Sequence, residues 1–109
     1  MSFNVKTITV FEKQAKRLIK KYPSLKRELG VLIELLKKHP KTGIPIGNDC
    51  YKIRLAISSK RKGKSGGARV ITHLAYKNDI VYLLSVYDKS EISTITDKEI
   101  KELLKLIPN

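Results

Sequence analysis

The sequence predicts an α+β fold in which an N-terminal strand and an antiparallel helix pair pack on a mainly antiparallel sheet, closed by a short C-terminal helix. Three observations predict it. Apolar residues recur at helical spacing between Phe11 and Leu36 and again from Ile100; they run at strand spacing from Tyr51 to Tyr87; and proline, glycine and asparagine cluster between those stretches. At 109 residues the chain fits one domain, read here as 1–109, and its 41% hydrophobic content allows a core without metal or disulfide staples.

The elements follow in order. Phe3 to Ile8 suits a brief strand, with Phe3, Val5 and Thr7 on one side. Thr9 and Glu12 have the spacing of a capping box, in which each side chain bonds the other residue's amide, so a helix is expected to start there. Phe11, Ala15, Leu18, Ile19 and Tyr22 make its apolar stripe, and Lys13, Lys16, Arg17, Lys20 and Lys21 cover the rest. Pro23-Ser24 ends that helix and caps a second one, whose stripe is Leu25, Leu29, Leu32, Ile33 and Leu36. Residues 40–49, rich in proline and glycine, read as a surface loop.

A strand from Tyr51, a basic loop at 58–67, and strands Arg69–Tyr76 and Ile80–Tyr87 follow, the last two joined by a turn at Lys77-Asn78-Asp79. The nearly continuous apolar run Ile80–Tyr87 suits a strand covered on both faces. Thr96 and Glu99 repeat the capping-box spacing before a final helix with Ile100, Leu103, Leu104 and Ile107 on one stripe.

Charge narrows the function. The net charge is +13, and it is unevenly placed: residues 1–48 hold 11 Lys/Arg against 3 Asp/Glu, residues 49–76 hold 7 against 1, and residues 77–109 hold 5 against 6. A positive field on the helices and the central hairpin favours a polyanion, nucleic acid before an acidic protein. No apolar run approaches the roughly 20 residues that cross a bilayer, and the N-terminus lacks the charged, apolar and small-residue zones of a signal peptide, so the chain reads as soluble and cytoplasmic, with no membrane partner. The single cysteine, Cys50, reads as a small apolar group in a reducing compartment.

Strand parity then singles out a site. Tyr51, Ile53, Leu55 and Ile57 share one side, which leaves Lys52 and Arg54 together on the other; an antiparallel return strand lets Arg69 join them as an anion site. His73 shares the parity of Arg69, and an imidazole on that face is a group that can move a proton. Lys60, Arg61, Lys62 and Lys64 make the connecting loop an RNA-binding candidate. Gly63-Lys64-Ser65 ends like a nucleotide-binding P-loop, but position 58 is serine where that motif needs glycine, and the loop joins two strands rather than a strand and a helix.

The run Gly63-Lys64-Ser65-Gly66-Gly67-Ala68-Arg69-Val70-Ile71, preceded by Tyr51-Lys52-Ile53-Arg54 and followed by Tyr87-Asp88-Lys89-Ser90-Glu91, resembles the RelE/ParE toxin superfamily, and most its RelE/HigB branch. The likeness spans nearly the whole chain. It implies a type II toxin, paired with an antitoxin, that acts as a ribosome-dependent mRNA endoribonuclease. The 2′-hydroxyl would attack the adjacent phosphodiester without metal or other cofactor, and the sequence shows no clustered metal ligands. By position, Lys52 and Arg54 match residues that activate the hydroxyl or clamp the phosphate, Arg69 the arginine that stabilises the transition state, and Lys89 a further cation for charge or leaving-group protonation. The chain departs from the branch at Ile95, where a tyrosine is usual; either Tyr87, Asp88 or His73 substitutes for it, or the catalytic set differs. Arg54 in place of lysine is a poorer base and a better phosphate fork. Inhibition of DNA gyrase, as associated with ParE members, and non-catalytic nucleic-acid binding are the rival readings.

Overall fold

The computed structural model describes residues 2–60 and 66–108. In chain order the strands are β1 (Asn4–Thr7), β2 (Ile44–Gly47), β3 (Cys50–Leu55), β4 (Ala68–Ala75) and β5 (Ile80–Asp88), and the helices are α1 (Thr9–Lys21), α2 (Leu25–Lys38) and α3 (Asp97–Leu104). The strands form one sheet in the order β1-β5-β4-β3-β2. β1 runs parallel to β5 and the other pairings are antiparallel. The expected α+β architecture is therefore present, with one parallel pair in an otherwise antiparallel sheet.

Helices α1 and α2 cover one face of the sheet. Their buried stripes are Phe11, Ala15 and Leu18 on α1 and Leu25, Leu29, Leu32 and Leu36 on α2. Leu18, Leu25 and Leu36 are fully buried, and each side chain withdrawn from water in this way contributes about 1.5–3 kcal/mol. All nine residues of β5 are buried, because α1 packs on one face of the strand and α3 on the other. β1 accompanies β5 only as far as Leu83; beyond it the Gln14 side-chain oxygen accepts from the Val86 amide at 3.0 Å and from the Ser85 hydroxyl at 3.1 Å. A polar residue of α1 thus completes the ladder where the neighbouring strand stops.

One irregularity decides which side chains share a face. Ile71 lies opposite Ser85 but Thr72 lies opposite Leu83, so β5 carries one extra residue there. Such a bulge reverses the alternation beyond it. Tyr82 and Tyr87, five residues apart and expected on opposite faces, therefore stand on the same one, opposite His73 and Arg69.

Several local expectations change. Thr9 is the first residue of α1 and not its cap; Ile8 occupies the cap position without a side-chain bond, and it is Thr7 whose hydroxyl donates to Glu12. Ser24 makes no capping bond either, its hydroxyl instead meeting Glu28 and Ser59. The loop predicted for residues 40–49 contains the edge strand β2, joined to β3 through Asn48 and Asp49, both with left-handed backbone (φ 57° and 56°). Two such residues in succession suit the twist of a tight hairpin. At α3 the capping box of Thr96 and Glu99 is complete in both directions.

Candidate anion site

The site grows from strand register. Arg54 on β3 pairs with Arg69 on β4, which pairs in turn with Tyr87 on β5; one step along, Lys52 pairs with Ile71 and Ile71 with Ser85. Residues directly opposite in antiparallel strands share a face, with Cα atoms about 4.5–5.5 Å apart. Lys52, Arg54, Arg69 and Tyr87 therefore stand on one side of the sheet. Lys89 continues the alternation past the end of β5, and its backbone amide donates to the Gly67 carbonyl at 3.0 Å, placing it beside the start of β4. Gly67 is required there: a Cβ would lie 2.2 Å from the Leu55 carbonyl oxygen.

The four cations differ in access. Arg54 is exposed, and Lys52 and Lys89 are half-buried, the Lys89 ammonium donating to the Ser93 carbonyl at 2.9 Å. Arg69 is only 4% exposed, with one guanidinium nitrogen 3.1 Å from the Ala68 carbonyl oxygen. Arg69 thus sits beneath the surface that Arg54 presents. Like charges directly across a strand pair repel, and an anion above them relieves the repulsion.

Beside this face, α3 and residues 92–95 enclose a cleft of about 590 Å³ whose lining includes Ser85, Tyr87, Ile92, Ile95 and Leu103. Tyr87 and Ile95 line the same cleft. The Tyr87 hydroxyl is buried and meets no hydrogen-bond partner among the described residues. Burial pushes its phenol above the ordinary value, the Arg69 guanidinium opposes this, and the Glu99 carboxylate adds to it. At neutral pH Tyr87 is a proton donor, not a base.

The remaining candidates lie elsewhere. His73 shares the face but stands four residues along β4 from Arg69, roughly 13 Å at the strand rise. Its Nδ1 is 2.9 Å from the Asn48 carbonyl oxygen and 3.6 Å from the Cys50 sulfur, which ties it to the β2–β3 turn. Burial first, then the Asp49 charge, pushes the Cys50 thiol up to about 11, in keeping with an unreactive core group. Asp88 points to the helix side of the sheet and is fully buried, its carboxylate paired with Lys60. Lys60, expected on RNA, is consequently turned inward, its side chain 9% exposed. Arg61, Lys62 and Lys64 lie outside the described residues. Among those described, no group of three or more His, Cys, Asp or Glu side chains is placed to hold a metal ion, and no helix is long and apolar enough to cross a membrane.

The mixed five-stranded sheet, with two helices behind it and a capped C-terminal helix beside it, is a fold that this chain shares with a solved RelE toxin. The chain is similar to a solved arginine-substituted mutant of the Escherichia coli toxin RelE in its free state, with a TM-score of 0.66 and 18% identity over 99% of this chain and 100% of that one. At that identity the two share a fold. No protein-family model matches the sequence.

Proposed function

We propose that this protein is the toxin of a type II toxin–antitoxin pair, a cytoplasmic endoribonuclease that cuts mRNA on the ribosome. The observation that carries the reading is the cross-strand pair Arg54 and Arg69, flanked on the same face by Lys52 and Lys89. The RelE-type fold supports it.

In the proposed reaction the 2′-oxygen forms a bond to the adjacent phosphorus as the bond to the 5′-oxygen breaks, giving a 2′,3′-cyclic phosphate and a 5′-hydroxyl. Charge accumulates on the non-bridging oxygens. Arg54, exposed and forked, meets those oxygens directly, while Arg69 adds positive potential from below, where water screens it less. In this reading the unprotonated amine of Lys52 accepts the 2′-hydroxyl proton, and the Lys89 ammonium balances charge as the 5′-oxygen departs. Of the three groups considered for the missing tyrosine, Tyr87 lies opposite Arg69 and holds its proton at neutral pH, so in this reading it gives that proton to the departing 5′-oxygen. The cationic face also suits an acidic, amphipathic segment of an antitoxin, which would cover the same residues.

The test is expression of this chain alone with mapping of mRNA 5′ ends. Growth arrest with cuts inside translated frames is expected. Arrest with gyrase-dependent DNA damage and intact mRNA would replace this reading with gyrase inhibition, and RNA binding without cleavage would reduce the protein to a basic binding module.

A further inference from the structure

Asp88 has an unusual concentration of bonds for a carboxylate that lies outside the cation face. One oxygen accepts from the Lys60 ammonium, from the Ser90 amide at 3.0 Å and from the Ser90 hydroxyl at 2.7 Å; the other accepts from the Tyr22 hydroxyl at 3.0 Å. The Lys60 ammonium also reaches the Ser90 hydroxyl at 3.0 Å and lies 5.5 Å from the centre of the Tyr22 ring. The Asp88 carbonyl oxygen accepts from the amides of Glu91 and Ile92 at 3.0 and 3.1 Å.

The bond from the Ser90 amide closes a ring around Lys89, the residue between them. Such a ring fixes the backbone of its middle residue as a backbone turn does. The Tyr22 and Lys60 contacts then fasten the ring to the end of α1 and to the segment leaving β3, itself held where the Ser58 amide and hydroxyl each donate to Glu28 at 2.8 Å. Lys89 leaves this turn toward the opposite side of the sheet, with its amide on the Gly67 carbonyl.

We propose that Asp88 is a positioning residue that acts through Lys89: its buried carboxylate, gripped by Lys60 and Tyr22, shapes the turn that presents Lys89 beside Arg69. Lys60 in this arrangement is the counter-ion of the turn and not a ligand of RNA. The catalytic part of the claim rests on the endoribonuclease reading, whereas the structural part stands without it.

Two measurements test it. Hydrogen exchange at the Lys89 amide in Asp88→Asn should be at least about tenfold faster than in the parent protein, while core amides of β4 and β5 keep their protection. Single-turnover mRNA cleavage on ribosomes should fall about tenfold in Asp88→Asn, and the double variant with Lys89→Ala should be no slower than Lys89→Ala alone, because groups acting through one another are not additive. Unchanged exchange at Lys89, or losses that multiply in the double variant, would overturn the proposal. A parent protein that fails to cleave would refute the endoribonuclease role, and a Lys89→Ala variant that cleaves as fast as the parent would overturn the catalytic part of the proposal while leaving that role intact; in both cases the exchange result decides the positioning claim. If Asp88→Asn does not fold, Ser90→Ala, at an exposed position, should move exchange in the same direction by a smaller factor, and no movement would count against the proposal.

Discussion

At the scale of single residues, the reading rests on groups whose removal separates chemistry from stability. Arg54 is exposed, so Arg54→Ala should leave the melting temperature nearly unchanged and slow cleavage about 10²–10³-fold, the scale of losing one preorganised donor to developing charge. Tyr87→Phe removes a hydroxyl with no partner among the described residues, so it should unfold at the same or a slightly higher denaturant concentration, yet cleave about 10²–10⁴-fold more slowly. The Thr72 hydroxyl is likewise buried without a described partner, and Thr72→Val serves as the control that should alter neither activity nor fold. Asp88 predicts a pH dependence. Burial alone would raise its pKa, but bonds from Lys60, Ser90 and Tyr22 outweigh burial and hold it well below the carboxylate range. The contribution is therefore complete above the unfolded value of about 4 and drains away as acid approaches the depressed folded value. Urea titrations should show a larger gap between the parent protein and Asp88→Asn at pH 7 than at pH 3. Parity alone placed Lys52, Arg54 and Arg69 on one face, because alternation is a property of the backbone. It could not reveal that Lys60 folds inward onto Asp88, nor that Arg69 is covered, since both depend on what packs from distant segments.

At the scale of elements, turns and edges decided what was legible. The α3 cap was readable because Thr96 and Glu99 complete a local motif, whereas the same spacing at Thr9 misled because Thr7 reaches Glu12 first. β2 escaped notice because Pro45 and Gly47 argue against a strand, and only an edge tolerates them; Asn48-Asp49 was the available signal of a tight hairpin. The bulge opposite Ile71 and Thr72 lies inside a continuous apolar run, where alternation carries no mark of it. Gly67 stands where two strands leave no room for a side chain, and Gly67→Ala should cost about 1–3 kcal/mol in denaturant unfolding as the mouth of the β3–β4 pair shifts. Normal stability in that variant would mean that the strands adjust without strain.

At the scale of the whole molecule, a charge of +13 favours polyanions in general, and under the proposed function the sheet face is where RNA would meet it. With Lys60 committed to Asp88, replacing Arg61, Lys62 and Lys64 together should flatten the log-log salt dependence of single-stranded RNA binding by up to about 2, at roughly 0.7 for each phosphate contact. The most direct measurement of the central claim is end analysis of mRNA cut on programmed ribosomes by the parent protein and by Arg54→Ala under single-turnover conditions. Upstream fragments ending in 2′,3′-cyclic phosphate, formed at least about a hundredfold more slowly by the variant, are predicted. Fragments ending in a 3′-hydroxyl, or equal rates from the two proteins, would contradict a phosphate held on the Arg54–Arg69 face.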